Sequence, residues 1–163
     1  MRVRIYVSTI VLAFCLACSE NREDNTFDKT SVTFDVEQAF NDYVTYVNTK
    51  GLKGADSFFS SDNRFYWVED GVMQYPNRDA LLSGIEEFYP SVEMINLQPS
   101  KTDIEILNSQ TATIYVEYKQ EIKLKSGYAF TLDGAMTIVM IPEDGSWKFL
   151  IGHSSVKKPR GGG

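Results

Sequence analysis

Histidine and cysteine are the scarce residues of this 163-residue chain. There is one histidine, and there are two cysteines, Cys15 and Cys18, both close to the start. Everything beyond residue 18 is therefore without a thiol, which excludes a disulfide framework, a cysteine-ligated metal and thiol catalysis there. A lone histidine with no Asp/Glu/His cluster at ligand spacing does not build a metal site either. No stretch holds the roughly 20 apolar residues that a spanning helix needs, so a multi-pass helical membrane protein is excluded. Basic residues are outnumbered, 16 Lys and Arg against 22 Asp and Glu, and the net charge of −6 speaks against a dedicated nucleic-acid binder. What is present is 43% apolar and 13% aromatic content, too much for a disordered chain and enough for one ordinary core.

The start of the chain reads as an address. Arg2 and Arg4 precede an uncharged, mainly apolar run over residues 5–17, too short to span with ordinary flanks and suited to the core of an export signal. It ends in Phe14-Cys15-Leu16-Ala17-Cys18-Ser19, which resembles a bacterial lipobox with Cys15 where leucine is usual. The resemblance implies a signal peptide over residues 1–17 and a lipid-modified Cys18 as the first mature residue. That would anchor the protein in the bacterial cell envelope, at the outer membrane, because several acyl chains at one point bind a bilayer almost irreversibly. A plain signal peptide cut near Ala17 and an uncleaved anchor are the alternatives. Loss of Arg2 and Arg4 takes the net charge from −6 to −8. Residues 18–32 read as a polar tether. Its acidic start, Glu20, Glu23 and Asp24, resembles the export stretch of some Bacteroidetes surface lipoproteins and equally suits a solvated linker.

Beyond the tether the patterning changes twice. Over residues 35–50, Val36, Phe40, Tyr43, Val44 and Val47 recur at three- and four-residue intervals, which predicts a helix capped by Thr33 or Asp35 and ended by Gly51. A second short helix is expected over 52–59. Strands at 64–68 and 72–75 flank Glu69-Asp70-Gly71, a strong hairpin signal. A third helix is expected over 78–89, stopped by Pro90. Strands follow at 91–97 and 102–107, broken by Gln98-Pro99-Ser100. Over 111–125, Ala112, Ile114, Val116, Tyr118, Gln120, Ile122 and Leu124 alternate with charged residues, as in a half-solvated antiparallel strand. Strands at 128–141, with Asp133-Gly134 as a bulge, and 147–156 complete the set. Residues 157–163 form a basic, glycine-rich tail. Helices first and a meander last predict an α+β domain over 33–156, a cone-shaped curved antiparallel sheet packed against about three N-terminal helices.

Several segments then resemble one family. They are residues 48–59, Val68-Glu69-Asp70-Gly71, Arg78-Asp79-Ala80-Leu81-Leu82-Ser83-Gly84-Ile85, and Asp144-Gly145-Ser146-Trp147-Lys148-Phe149 with His153-Ser154-Ser155. Together they are similar to the SnoaL-like branch of the nuclear transport factor 2-like superfamily, whose fold ketosteroid isomerases, scytalone dehydratase and polyketide cyclases share. The resemblance implies a conical cavity. Matched to a ketosteroid isomerase, Tyr43 takes the place of the oxyanion-donating tyrosine. Trp67 falls where that family has its proton-shuttling aspartate, and Thr137 close to its second, protonated aspartate. A phenol and an indole do not supply a base for proton abstraction from carbon, so isomerase chemistry is not expected.

Candidate site residues follow from both readings. His153, at period two with Trp147, Phe149 and Ile151, is expected to face the cavity as an acid or base, or as a satisfied rim histidine. Asp133, in an apolar strand, is a second acid/base candidate or a bulge residue bonding amides. Tyr118 and Gln120, on the inward face of their strand, are candidates for polar ligand contacts or for bonding one another. Tyr43, Trp67, Tyr118, Gln120, Met136 and His153 form the expected ligand-binding set. Glu69 and Asp70 are expected in a solvated turn. No Ser-His-Asp order, P-loop or GxGxxG occurs, and no cofactor or metal is expected. The expected function is non-catalytic binding of a small apolar molecule or a protein partner by an envelope lipoprotein. The alternative is a cyclase, isomerase or dehydratase using His153 or Asp133. A homodimer through the outer sheet face, around Tyr115, is a further expectation.

Overall fold

The computed structural model describes residues 27–157. The expected leader, Cys18, most of the tether and the tail beyond Lys157 lie outside the described residues.

The first helix, α1, runs over Lys29–Lys50, starting inside the expected tether. Asp28 caps it, its carboxylate accepting from the Thr30 and Ser31 amides at 3.0 and 3.3 Å, in place of Thr33 or Asp35. The expected apolar stripe faces inward, with Val36, Phe40 and Val47 buried and Tyr43 and Val44 packed beside them. A second α-helix does not follow. Gly51 and Gly54, both at positive φ, confine the next segment to a single 3₁₀ turn, Ala55–Phe58. The described residues therefore hold two α-helices rather than three. The second, α2, spans Arg78–Phe88; Asn77 caps it by accepting from the Ala80 amide at 2.9 Å, and it gives way at Pro90 to a 3₁₀ turn, Tyr89–Ser91.

Among the described residues six strands form one sheet: β1 Tyr66–Glu69, β2 Val72–Tyr75, β3 Val92–Asn108, β4 Thr111–Leu124, β5 Ala129–Glu143 and β6 Ser146–Val156. Their order is β2-β1-β6-β5-β4-β3, antiparallel throughout except for the parallel β1/β6 pair. Asp70-Gly71 and Asp144-Gly145 make the β1/β2 and β5/β6 hairpins, with φ of 49° and 84°, and 52° and 79°. Two successive positive φ values are what a tight turn matched to strand twist requires, and Asp-Gly supplies them. Residues 98–100 do not break a strand. β3 runs through them, absorbing Ser100 as a bulge between Pro99 and Lys101, because β3 is an edge strand and an edge tolerates proline.

The core lies between α1 and the inner sheet face, where Ile114, Val116, Ile138, Met140 and Phe149 are almost fully buried. Two polar anchors tie loops and edges to it. The Asn48 amide donates to the Leu97 carbonyl at 2.8 Å and accepts from the Leu97 amide at 2.6 Å, satisfying the outer edge of β3. The Glu143 carboxylate accepts from the fully buried Ser60 hydroxyl and from the Ser61 amide and hydroxyl at 2.9 and 2.6 Å. Burial alone would raise the Glu143 carboxyl; these hydrogen bonds and the Lys148 charge outweigh it and hold the group below its ordinary value.

One irregularity decides what faces inward near the chain's end. In β6, Val139 pairs with Ile151 and Met140 with Phe149, leaving Leu150 as an extra residue. A one-residue bulge inverts side-chain parity. Trp147 and Phe149 point into the core before it, whereas after it Gly152, Ser154 and Val156 take the inner positions and His153 is exposed.

Candidate ligand-binding cavity

Between α1, α2, the β1/β2 hairpin and the inner face of β3 to β6 lies a cavity of about 630 Å³. That is ample for a small organic molecule. Its innermost wall is aromatic. Tyr43 of α1 meets Phe58, Phe59 and Phe149 edge-on, at centroid separations of 5.5, 6.1 and 4.9 Å. Phe59 in turn meets Phe65 and Trp67 edge-on at 6.1 and 6.3 Å. Such pairs contribute about 0.5–1.5 kcal/mol each beyond area burial.

Two glycines shape the sheet side. The Trp67 indole lies directly on Gly152, where a Cβ would come within 2.1 Å of its ring. Its Nε1 donates to Ser154 Oγ at 3.1 Å. The Tyr118 phenol lies over Gly134, where a Cβ would stand 2.7 Å from Oη and 2.6 Å from the Ser155 carbonyl. Glycine at these strand positions lets bulky rings lie flat and leaves room above them.

The expected ligand-binding residues separate cleanly. Tyr43, Trp67, Tyr118, Gln120 and Met136 line the cavity. His153 does not, because the Leu150 bulge turns it to the outer face opposite Thr137. Asp133 is also outside: it is exposed, it sits in unbroken register opposite Lys119, and no bulge forms at Asp133-Gly134. Its parity on β5 is opposite to that of Leu132 and Met136, which line the cavity. Neither acid/base candidate reaches a ligand there. Thr137 is likewise exposed on the outer face, one residue out of phase with the inward Met136. Tyr115 lies on that face too, with its hydroxyl on Glu117 at 3.2 Å and Lys101 5.6 Å from its ring.

Among the lining groups that sequence reasoning missed are two acids, Glu69 and Asp70. Glu69 is the last residue of β1, not a turn residue. It shares the face of Trp67, two positions earlier, and the pairs Trp67/Gly152 and Glu69/Ser154 keep both in line with the inward residues of β6. The alternation Trp67-Val68-Glu69 carried that signal. Glu69 keeps one flank in solvent, but desolvation, helped by the Asp70 charge, raises its carboxyl above its ordinary value. Asp70 accepts from the Val156 amide at 2.9 Å.

The phenols respond to burial and, for Tyr118 and Tyr75, to these charges. Tyr43 is pushed up to about 12, by burial first and by Tyr118 second. Tyr118 is raised by burial, then by Glu69 and Asp70; Tyr75, another lining residue, by burial and then by Glu69. All three stay neutral hydrogen-bond donors at ordinary pH. Among the described residues no lysine, arginine or histidine lines the cavity, and no group of three or more His, Cys, Asp or Glu side chains is placed to hold a metal ion.

Residues 36–159 match the family model of the SnoaL-like domain, and the chain belongs to that family. Among solved structures it resembles a nuclear transport factor 2-like superfamily protein from Salmonella enterica, with 11% identity and a TM-score of 0.70 over 83% of this chain and 98% of that one. A protein with a cystatin-like fold from Caulobacter vibrioides gives 18% identity and a TM-score of 0.63 over 79% and 92%. A hexachlorocyclohexane dehydrochlorinase from Novosphingobium barchaimii gives 13% and 0.64 over 79% and 88%. At such identities the likeness establishes the fold alone, and one fold of this kind hosts many functions. Among curated proteins none matches the chain significantly.

Proposed function

We propose that the domain binds a small, mostly apolar molecule in its cavity, and that a lipid on Cys18 holds it at the bacterial cell envelope. One observation carries the binding reading: a cavity of about 630 Å³ that keeps open space beside apolar walls, with the Tyr43, Tyr118 and Gln120 side chains making no hydrogen bond to the protein among the described residues. Apolar walls with a few convergent polar groups are the usual make-up of a small-molecule site.

Mass spectrometry of molecules released on denaturing the purified protein tests this reading. A stoichiometric organic molecule, lost when Met136→Trp fills the cavity, is the expected result. A cavity that binds no member of a diverse apolar library would overturn it. For the anchor, incorporation of a fatty-acid analogue should disappear in Cys18→Ser, and unchanged labelling refutes it.

A second reading is supported by Glu69. A carboxyl with a raised pKa at a cavity wall is suited to general acid/base work, and the fold neighbours include a dehydrochlorinase. On this reading Glu69 replaces His153 and Asp133 as the proton-transfer group, and Glu69→Gln would abolish turnover while sparing binding.

A further inference from the structure

We infer that the cavity takes an elongated ligand, an uncharged single-chain molecule of the long-chain alcohol or ester kind, whose far end passes between Leu52 and Ile85 into a second groove behind them. This rests on the binding reading above and names its ligand class.

The groove, of about 540 Å³, lies between the loop that ends α1 and the outer side of α2. Leu82, Ile85, Tyr89 and Pro90 give it an apolar floor. Leu52 and Ile85 line both the groove and the cavity, so the wall between the two spaces is there one side chain thick. The groove is thus continuous with the cavity except for two apolar side chains. Its edge carries both signs of charge, Lys53 against Asp56 and Glu86, and Asp56 already stands 3.7 Å from Arg78. Charges of mixed sign make no uniform field to hold a charged chain end, so an uncharged chain suits the groove.

The supports of this partition are light. Leu52 sits in a loop bracketed by Gly51 and Gly54, at φ of 75° and 80°, and tied to α1 by the Tyr46 hydroxyl, which donates to the Lys53 carbonyl at 2.9 Å. Ile85 rides on α2. Arg78 pins the start of that helix by donating to the Asp56 and Phe59 carbonyls at 2.9 and 3.2 Å, but the one buried side chain of α2 is Leu81, a turn before Ile85. Leu52 and Ile85 are themselves only half-buried. Side chains left partly in solvent change rotamer quickly, whereas those of a close-packed core do not yield independently. The sizes make the same point. A sphere of the cavity's 630 Å³ is about 11 Å across, whereas an extended chain of fourteen carbons measures roughly 18 Å. A chain of that length lies straight only by crossing the partition, and the groove beyond covers its apolar end.

The test uses four linear alcohols, 1-octanol, 1-decanol, 1-dodecanol and 1-tetradecanol, each kept below its solubility limit and titrated into the protein with the fluorescence of Trp67, a cavity residue, as the readout. Each added methylene should tighten binding about threefold through the whole series, as continued burial of the chain requires. Glu86 is exposed and lines the groove but not the cavity. In Glu86→Trp the indole covers the groove, and the ratio of tetradecanol to octanol affinity should fall at least about tenfold. Ser83 lies on the same helix, is exposed and lines neither space, so Ser83→Trp should leave that ratio within about twofold. A wild-type series that stops tightening beyond decanol, or a ratio that Glu86→Trp leaves unchanged, overturns the elongated ligand while the shorter alcohols, still bound, leave the binding reading standing. Absence of binding by all four overturns it as well, and the diverse library named above then decides the binding reading separately.

Discussion

Gly152 and Trp67 form the contact on which the sheet side of the cavity is built, and its energetics can be worked out. Gly152 lies in β6 without a positive φ, so its backbone accepts alanine, and strand propensity alone would favour the change. The added methyl, however, would meet Trp67 ring atoms at 2.1 to 2.4 Å, far inside contact distance. The indole cannot yield toward the sheet, so it must tilt into the cavity. Overpacking of this kind costs about 1–3 kcal/mol. Tilting also breaks the 3.1 Å bond from Trp67 Nε1 to Ser154, worth about 1 kcal/mol. Gly152→Ala should therefore destabilise by about 2–4 kcal/mol, a fall in Tm of roughly 5–15 °C. The informative assay is a double-mutant cycle by urea denaturation. With Trp67→Ala the obstruction is gone, and adding Gly152→Ala should then cost less than about 0.5 kcal/mol. Equal costs of Gly152→Ala in both backgrounds would refute the packing argument.

Three further outcomes follow from particular contacts. Glu143→Ala strands the buried Ser60 hydroxyl and should cost about 1–3 kcal/mol at pH 7, measured by urea denaturation. Because the folded Glu143 carboxyl titrates below its ordinary value of 4.5, its contribution is fully present above that pH and is lost as the pH falls through the folded value; Glu143→Gln should flatten that acid limb, and an unchanged limb counts against the anchor. Asn48→Ala frees both Leu97 backbone groups and should cost about 1–3 kcal/mol, with faster hydrogen exchange at the Leu97 amide; unaltered exchange there would contradict the clamp. His153 and Asp133 face away from the cavity, so His153→Ala and Asp133→Asn should each change the affinity of a molecule recovered from the cavity by less than about twofold; a tenfold loss in either would place them back in the site.

The mouth of the cavity is itself informative about how ligands enter. Val72 of β2 and Phe88 of α2 both line it and are 61% and 38% exposed. Apolar side chains left in water at an opening favour a ligand with an apolar body, since its arrival covers them.

The order of elements was legible because it is written in local periodicity. The stripe Val36-Phe40-Val47 and the alternation from Ala112 to Leu124 each report their own element, and Asp-Gly at 70–71 and 144–145 reports its own turn. From these came the α+β domain and the inward face of β4 with Tyr118 and Gln120, while Tyr43 and Trp67 were singled out by the family resemblance; with Met136 these line the cavity, five of the six residues expected there. Period-two counting from Trp147 failed at His153 because the bulge at Leu150 is a property of the β5/β6 pairing and not of β6 alone. Asp133 was misplaced for a related reason: parity on β5 is set by its register with β4, where Asp133 meets the outward Lys119. Glu69 looked like a turn residue until the parallel pairing with β6 carried β1 one step further and laid it beside Ser154. Short-range pattern thus determined which elements exist and which faces are apolar. Which end of each pattern reaches the cavity, and with what charge, was decided only by pairing between strands distant in the chain, since a shift of one residue exchanges every inward side chain for an outward one.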